Sequence, residues 1–297
     1  MNTVTAEAAK ARTSSDSYLV GLIGTGVGPS LTPPMHEREA AELGHRLIYR
    51  TIDLAELDLA PESVVDLVGA ARHLGFNGLN ITHPCKQLVL PVLDHLTPEA
   101  ATLGAVNTVV FRSGTAVGHN TDWSAFARCL ERGLPDAPLD RVVVLGAGGA
   151  GAAVVYALLA SGAREVTVVD TQRERARDLA GRMDGHFPRA RCLAGDPAGV
   201  GVLLAAADGM VNATPTGMAH HPGIPVPAEL LRASMWVSDI VYRPLRTELL
   251  LRARERGCPT LEGGEMAVFQ ASQAFGLITG LEPDSGRMLA HFHTLLT

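Results

Sequence analysis

The chain reads as an α/β protein of two domains, and three observations lead there. Short apolar strands alternate with helical segments along most of its length. A glycine-rich turn joins a wholly apolar strand to an alanine-rich helix. Only 4% of the residues are aromatic, while 31 of the 297 are glycine. The length suffices for two hydrophobic cores. Strand-helix alternation calls for mostly parallel sheets, because each helix carries the chain back across the sheet before the next strand pairs.

Residues 1–17 are small and polar and lack the apolar stretch of a signal peptide, so they read as a disordered extension. Residues 18–24 form a first buried strand that ends in a glycine turn, where Pro29, Pro33 and Pro34 delay the next helix to about Pro34. Ser30 and Thr32 are then left on a loop ahead of that helix. Two hydroxyls spaced i, i+2 suit a small polyol or carboxylate ligand; helix-approach capping is the alternative. Residues 45–53 give a partly alternating strand, 61–74 a helix with Val64, Val65, Leu67 and Val68 on its apolar side, and 78–82 a third strand. His83 and Pro84 end it, followed by Cys85, Lys86 and a helix-like segment 87–92. Residues 105–111 are another strand, and 123–130 a helix for which Thr121 and Asp122 serve as N-cap at least. Ligands of parallel sheets bind beyond the carboxyl ends of strands, where Ser30, Thr82 and Lys86 fall.

A linker-like break at 134–138 precedes Val142, Val143, Val144 and Leu145, a strand buried on both faces. It runs into Gly146, Gly148 and Gly151, a G-x-G-x-x-G series that opens a helix. There the glycines allow a tight turn, close approach of a pyrophosphate, and tight helix–strand packing. A second strand, 165–169, ends on Asp170, 19 residues past Gly151. This is a Rossmann dinucleotide site, built from Gly146, Ala147, Gly148, Gly149, Ala150, Gly151 and Asp170. A carboxylate at Asp170 accepts from both adenosine ribose hydroxyls and repels a 2′-phosphate, which favours NAD over NADP. Arg173 and Arg175 could fold back toward a phosphate; the plainer reading is an exposed helix start. Helices follow at 173–183 and 197–206, and residues 209–217 form a strand running into a loop at the same sheet edge. Then come a strand at 236–242, a helix at 247–256, a short strand at 258–261, and two closing helices at 266–280 and 287–296 that return to the first domain.

A net charge of −6 without a basic run argues against nucleic acid as the main partner. No apolar run approaches the ~20 residues of a membrane span. Cys85, Cys129, Cys192 and Cys258 lie far apart with no C-x-x-C pair, so reduced thiols in the cytoplasm are expected, with neither zinc site nor disulfides. His83, His119, His220 and His221 lack ligand spacing, and no metal is expected.

Several motifs taken together resemble the shikimate dehydrogenase family, most closely its NAD-dependent quinate/shikimate dehydrogenase branch. They are the loop from Ser30 to His36, Gly78-Leu-Asn-Ile-Thr-His-Pro-Cys-Lys86, Gly104-Ala-Val-Asn-Thr108, Gly118-His-Asn-Thr-Asp122, the glycine fingerprint, Asn212-Ala-Thr214 and Gln270-Ala271. The resemblance implies reversible oxidation of quinate to 3-dehydroquinate and of shikimate to 3-dehydroshikimate, with hydride passing to nicotinamide. Lys86 and Asp122 match the catalytic pair, and a desolvated lysine held by a carboxylate can shuttle the hydroxyl proton. Ser30 and Thr32 match residues holding the substrate carboxylate; Thr82, Asn107 and Gln270 match those bonding ring hydroxyls, and Tyr242 another substrate-side position. Asn212, Ala213, Thr214, Val241 and Arg173 fall on the cofactor side.

Thr32 and Asp170 depart from many biosynthetic members and look like the NAD-using branch. Cys85 and Glu265 also depart and leave the pocket's shape open. A dehydrogenase restricted to shikimate or an amino analogue is the alternative, and a non-catalytic dinucleotide-binding sensor is the rival of another class. The implied domains are 18–124 with 267–297 for substrate and 125–266 for NAD, in a monomer or homodimer, with the site in a cleft whose closure excludes water.

Overall fold

A computed structural model describes residues 17–296. The extension expected at 1–17 lies outside them except for Ser17, which already pairs with Arg46 in the first strand.

The first sheet is built from β1 (Ser17–Gly24), α1 (Thr32–Glu42), β2 (Arg46–Asp53), α2 (Val64–His73), β3 (Gly78–Ile81), β4 (His95–Leu96), α3 (Pro98–Leu103), β5 (Thr108–Arg112) and β6 (Thr115–His119). Its order is β2-β1-β3-β5-β6-β4, and only β5 runs against the rest. The cause is local: Ser113 and Gly114 take φ of 50° and 80°, the left-handed pair of a two-residue hairpin, so β6 must fold straight back on β5. The reversal has a consequence for the site. The amino end of β5, with Asn107 just before it, shares a sheet edge with the carboxyl ends of β1, β3 and β6.

Several elements differ from the sequence expectation. α1 starts at Thr32, not near Pro34, because its two prolines occupy the first turn, where no N–H is needed. Thr32 is therefore a helical residue, not a loop one. Residues 87–92 are turns and a 3-10 stretch around Pro91, which blocks an α-helix. Val65 faces outward, while Val64, Val68 and Ala71 carry the buried stripe of α2. β4 and α3 were not foreseen, although Thr97 caps α3 by accepting from Ala100 N and Gly104 ends it in the left-handed region.

α4 (Asp122–Gly133) leads into the second sheet, formed by β7 (Arg141–Leu145), α5 (Gly149–Ala160), β8 (Glu165–Val169), α6 (Arg173–His186), β9 (Arg191–Gly195), α7 (Val200–Ala206), β10 (Gly209–Asn212), β11 (Trp236–Asp239), α8 (Glu248–Glu255) and β12 (Thr260–Glu262). All pairings are parallel in the order β12-β11-β10-β7-β8-β9, a doubly wound sheet whose direction of winding switches between β7 and β10. β9 escaped the sequence reading because it is an edge strand with Cys192 as its single buried residue. α5 is buried all round from Gly151 to Leu159, as a helix held between a sheet and α4 must be.

α9 (Gly264–Thr279) packs against α1 and β5, and α10 (Ser285–Leu295) against α1 and α9. There Glu39 of α1, almost wholly buried, accepts from Arg287 Nε (2.9 Å) and from Asp284 N (2.7 Å) and so fixes the start of α10.

Candidate active site

At the shared edge of the first sheet, Lys86 Nζ lies 2.6 Å from Asp122 Oδ2, with the two side chains 18% and 9% exposed. Lys86 comes from the turn after β3, where its carbonyl accepts from Val106 N (2.8 Å). Asp122 opens α4, its N–H donating to Asn120 Oδ1 (3.0 Å). Asn107 Nδ2 donates to Asp122 Oδ1 and to Thr121 Oγ1, both at 2.9 Å, while Asn107 Oδ1 accepts from Thr121 N and Thr108 Oγ1. Thr121 Oγ1 in turn donates to the carbonyl of Gln270 on α9 (3.2 Å). The fold thus brings Lys86, Asp122, Asn107 and Gln270 together from four segments. Asn107, expected to bond substrate, has both amide hydrogens and both lone pairs engaged within the chain, so it reaches a ligand only by giving one of these up.

Ser30 sits half-buried on the loop after β1, its Oγ accepting from Thr32 N (3.3 Å). Asp53, which the sequence reading missed, shapes that loop by accepting from the N–H groups of Gly26, Val27 and Gly28, and from Ala55. Burial would raise its carboxyl; the four donors outweigh that and hold it below the ordinary range. Thr82 follows β3 directly, and its methyl presses on Gly24, where a Cβ would come within 2.3 Å. Tyr242 joins the apolar cluster that includes Leu31, Met35 and Phe292, while Arg243 Nη1 donates to the carbonyl of Pro29. Both contacts tie the segment after β11 to the Ser30 loop.

In the second sheet, Gly146 takes a φ of 101° directly after β7, and a Cβ there would stand 2.7 Å from the carbonyl oxygen of Ala213, across the switch point. Gly148 is the N-cap of α5, with no side chain capping it and open space where its Cβ would be. The first N–H groups of such a helix have no partner within it, and together with the open space they fit a dinucleotide's pyrophosphate. Asp170 Oδ2 accepts from Ala147 N and Oδ1 from Gln172 N, each at 2.8 Å, which fixes the carboxylate beside the glycine turn. Arg173 is turned away, paired with Asp196 at 2.8 Å. Gly149 brings the two halves together: a Cβ on it would lie 3.4 Å from Lys86 Cδ, so the start of the nucleotide helix abuts the lysine chain.

Comparison with known proteins decides the family. A family profile described as the shikimate dehydrogenase substrate binding domain matches residues 22–109, and one described as shikimate / quinate 5-dehydrogenase matches 130–209. The chain belongs to the shikimate dehydrogenase family. A shikimate dehydrogenase (NADP(+)) of Streptomyces avermitilis is 63% identical over 277 residues, covering 93% of this chain and 95% of the relative. A quinate/shikimate dehydrogenase (NAD(+)) of Corynebacterium glutamicum is 49% identical over 282 residues, covering 95% of this chain and all of the relative. The solved quinate dehydrogenase of Corynebacterium glutamicum in complex with NAD superposes with a TM-score of 0.87 at 48% identity, covering 94% of this chain and 99% of that one. The protein is accordingly an oxidoreductase of the shikimate/quinate dehydrogenase type that uses a nicotinamide dinucleotide.

Within this shikimate dehydrogenase fold, two cofactor-side expectations take a different form. Asn212 Nδ2 donates to Thr216 O and Asp239 Oδ1, and its Oδ1 accepts from Thr214 N and Oγ1, so the side chain builds the loop after β10 rather than pointing free donors outward. Thr214 Oγ1 also accepts from Thr216 N. The Ala213 carbonyl lies against Gly146, and Val241 N donates to Asp239 Oδ1 (3.0 Å). Asp239 was missed, although an acidic residue ending a buried strand is a visible signal. Its Oδ2 accepts from Thr247 Oγ1 (2.7 Å), so one buried carboxylate joins three segments around the switch point.

Burial pushes the Asp239 carboxyl up to about 6, against the pull of its Thr247, Val241 and Asn212 donors. With its folded value above the unfolded 3.8, the native state holds the proton longer, and stability falls as pH rises through that window. The cost reaches about 3 kcal/mol above it. Urea titrations of wild type and Asp239→Asn at about pH 4 and pH 7 check this: the variant should gain on wild type at the higher pH, whereas a pH-independent difference would contradict the burial account.

Proposed function

We propose that the chain reversibly oxidises quinate to 3-dehydroquinate and shikimate to 3-dehydroshikimate with NAD. The observation that carries this reading is the Lys86–Asp122 pair at 2.6 Å, set against the first residue of α5. Oxidising an alcohol requires a base to take the hydroxyl proton as hydride leaves. A bound nicotinamide supplies the hydride acceptor. Lys86 Nζ takes the proton as a free amine and becomes an ammonium, which Asp122 Oδ2 holds in place while Asn107 fixes the carboxylate's other oxygen. Ser30, on the loop shaped by Asp53, and Thr32, at the start of α1, hold the substrate carboxylate; Thr82, Gln270 and Tyr242 complete the pocket. The proton-relay pair also speaks against a non-catalytic sensor, which has no use for one.

NAD is favoured by the Asp170 carboxylate at the end of β8 and by Arg173 being paired with Asp196 rather than free for a 2′-phosphate. The quinate/shikimate dehydrogenase (NAD(+)) relative supports the same reading. The 63% identical relative, named as shikimate dehydrogenase (NADP(+)), favours a second one: shikimate alone, with NADP. We take residues 18–124 with 267–297 as the substrate domain and 125–266 as the NAD domain, in a cytoplasmic enzyme whose four cysteines are all free. The substrate reading is tested by initial rates with quinate, shikimate and an amino analogue at saturating NAD. Turnover of both quinate and shikimate is expected; turnover of shikimate or the amino analogue alone would overturn the quinate assignment.

A further inference from the structure

Behind the Lys86–Asp122 pair runs a buried line of polar side chains that crosses the first sheet from its edge strand. Tyr49 Oη on β2 donates to Asn80 Oδ1 on β3 (2.6 Å). Asn80 Nδ2 donates to Thr108 Oγ1 on β5 (3.2 Å), Thr108 Oγ1 to Asn107 Oδ1 (3.0 Å), and Asn107 Nδ2 to Asp122 Oδ1 (2.9 Å). No member is more than 7% exposed. Strands buried on both faces are ordinarily apolar, so polar residues in such positions call for an account.

The direction of the protons from Tyr49 to Thr108 follows from the first member, and at Asn107 it agrees with the direction that the Thr121 N–H requires. A phenol O–H has one hydrogen to give, and burial raises the Tyr49 phenol well above its ordinary value, so it remains a donor. Its bond to Asn80 Oδ1 forces the Asn80 amide group to face Thr108. Thr108 Oγ1, already accepting from Asn80, must direct its own hydrogen at Asn107 Oδ1. That bond, with the one from Thr121 N, fixes which end of the Asn107 amide is oxygen and leaves its NH2 facing Asp122. Reversing either amide would leave buried donors or acceptors without partners, a costly state in a dry interior.

We propose that Thr108, Asn80 and Tyr49 are positioning residues for the reaction: a one-way hydrogen-bond line that sets the Asn107 amide and, through it, the Asp122 carboxylate that holds Lys86. This rests on the Lys86–Asp122 reading of the chemistry, and the two fail separately. If Lys86→Ala keeps its turnover, that reading falls; if Lys86→Ala is inactive but the Thr108 variants behave as packing changes, only the present proposal falls.

The test exploits two near-isosteres. Thr108→Val keeps the shape and loses the hydroxyl, whereas Thr108→Ser loses the methyl and keeps the hydroxyl. Thr108→Val should lower kcat on the order of tenfold, because small displacements of a catalytic group are expensive. The dissociation constant for NAD should stay unchanged, and the solvent deuterium isotope effect on kcat should rise as proton transfer becomes more limiting. Thr108→Ser should recover most of the lost turnover with an isotope effect like wild type. Equal losses in both variants, a greater loss in the serine variant, or an unchanged isotope effect would overturn the proposal. Should Thr108→Val fail to fold, Tyr49→Phe at the far end of the line carries the same test, with an expected fall of about threefold in kcat and the same rise in isotope effect.

Discussion

Replacing Lys86 by alanine should lower turnover by about two to four orders of magnitude, the range expected when a positioned acid–base group is removed. Binding of NAD should persist, because no cofactor-side contact depends on the Lys86 amino group: the glycine turn is held by backbone geometry and by Asp170. The substitution also strips Asp122 of its 2.6 Å partner while Asn107 still holds the other oxygen, so the carboxylate stays in place and the loss reads as lost chemistry. Stopped-flow or steady-state rates paired with an NAD titration separate these quantities. Turnover within a few-fold of wild type would remove Lys86 as the base. Loss of NAD binding would instead mean that the lysine supports the start of α5, which it abuts.

Replacing Gly151 by alanine should weaken NAD binding at least about tenfold, or roughly 1.4 kcal/mol. A Cβ at this position would stand 2.0 Å from the carbonyl oxygen of Gly146, a backbone atom that cannot rotate away. The turn between β7 and α5 would have to open, and the N–H groups at the start of α5 would move with it. Gly148→Ala is the informative companion, since its Cβ meets nothing within 4 Å. That variant should keep the thermal stability of wild type and lose affinity only because the methyl enters the space a pyrophosphate needs. If Gly151→Ala bound NAD as tightly as wild type, the glycine turn would not be the cofactor cradle.

What the sequence shows directly is whatever depends on neighbours along the chain. The strand–glycine–helix unit at 141–170 is local, so its fold and its likeness to a dinucleotide site could be read residue by residue. The Lys86–Asp122 pair was accessible only through resemblance, because 36 residues separate its members and nothing in their spacing announces contact. Thr108, Asn80 and Tyr49 stayed out of reach for the same reason. Their alignment is created by sheet order, with β3 pairing in parallel to β1 and antiparallel to β5. Misread elements followed from weak local signals. β9 buries a single side chain, β4 has two residues, and Pro33 and Pro34 lie inside the first turn of α1 rather than forming a barrier before it. Asn107 and Asn212 were placed on the ligand side through the resemblance; the bonds their amides make within the chain, to segments that sequence alone does not bring near, were not legible.

On the proposed function, the Asp170 carboxylate sets a preference for NAD over NADP. The most direct test is the ratio of kcat/KM for NAD to that for NADP, measured from initial rates with shikimate and repeated with quinate. Repulsion between the Asp170 carboxylate and a 2′-phosphate predicts a ratio of at least about ten in favour of NAD with both substrates. A ratio of one or below would contradict the account, leaving the fold and the Lys86–Asp122 relay in place but placing the protein with the NADP-using shikimate dehydrogenases.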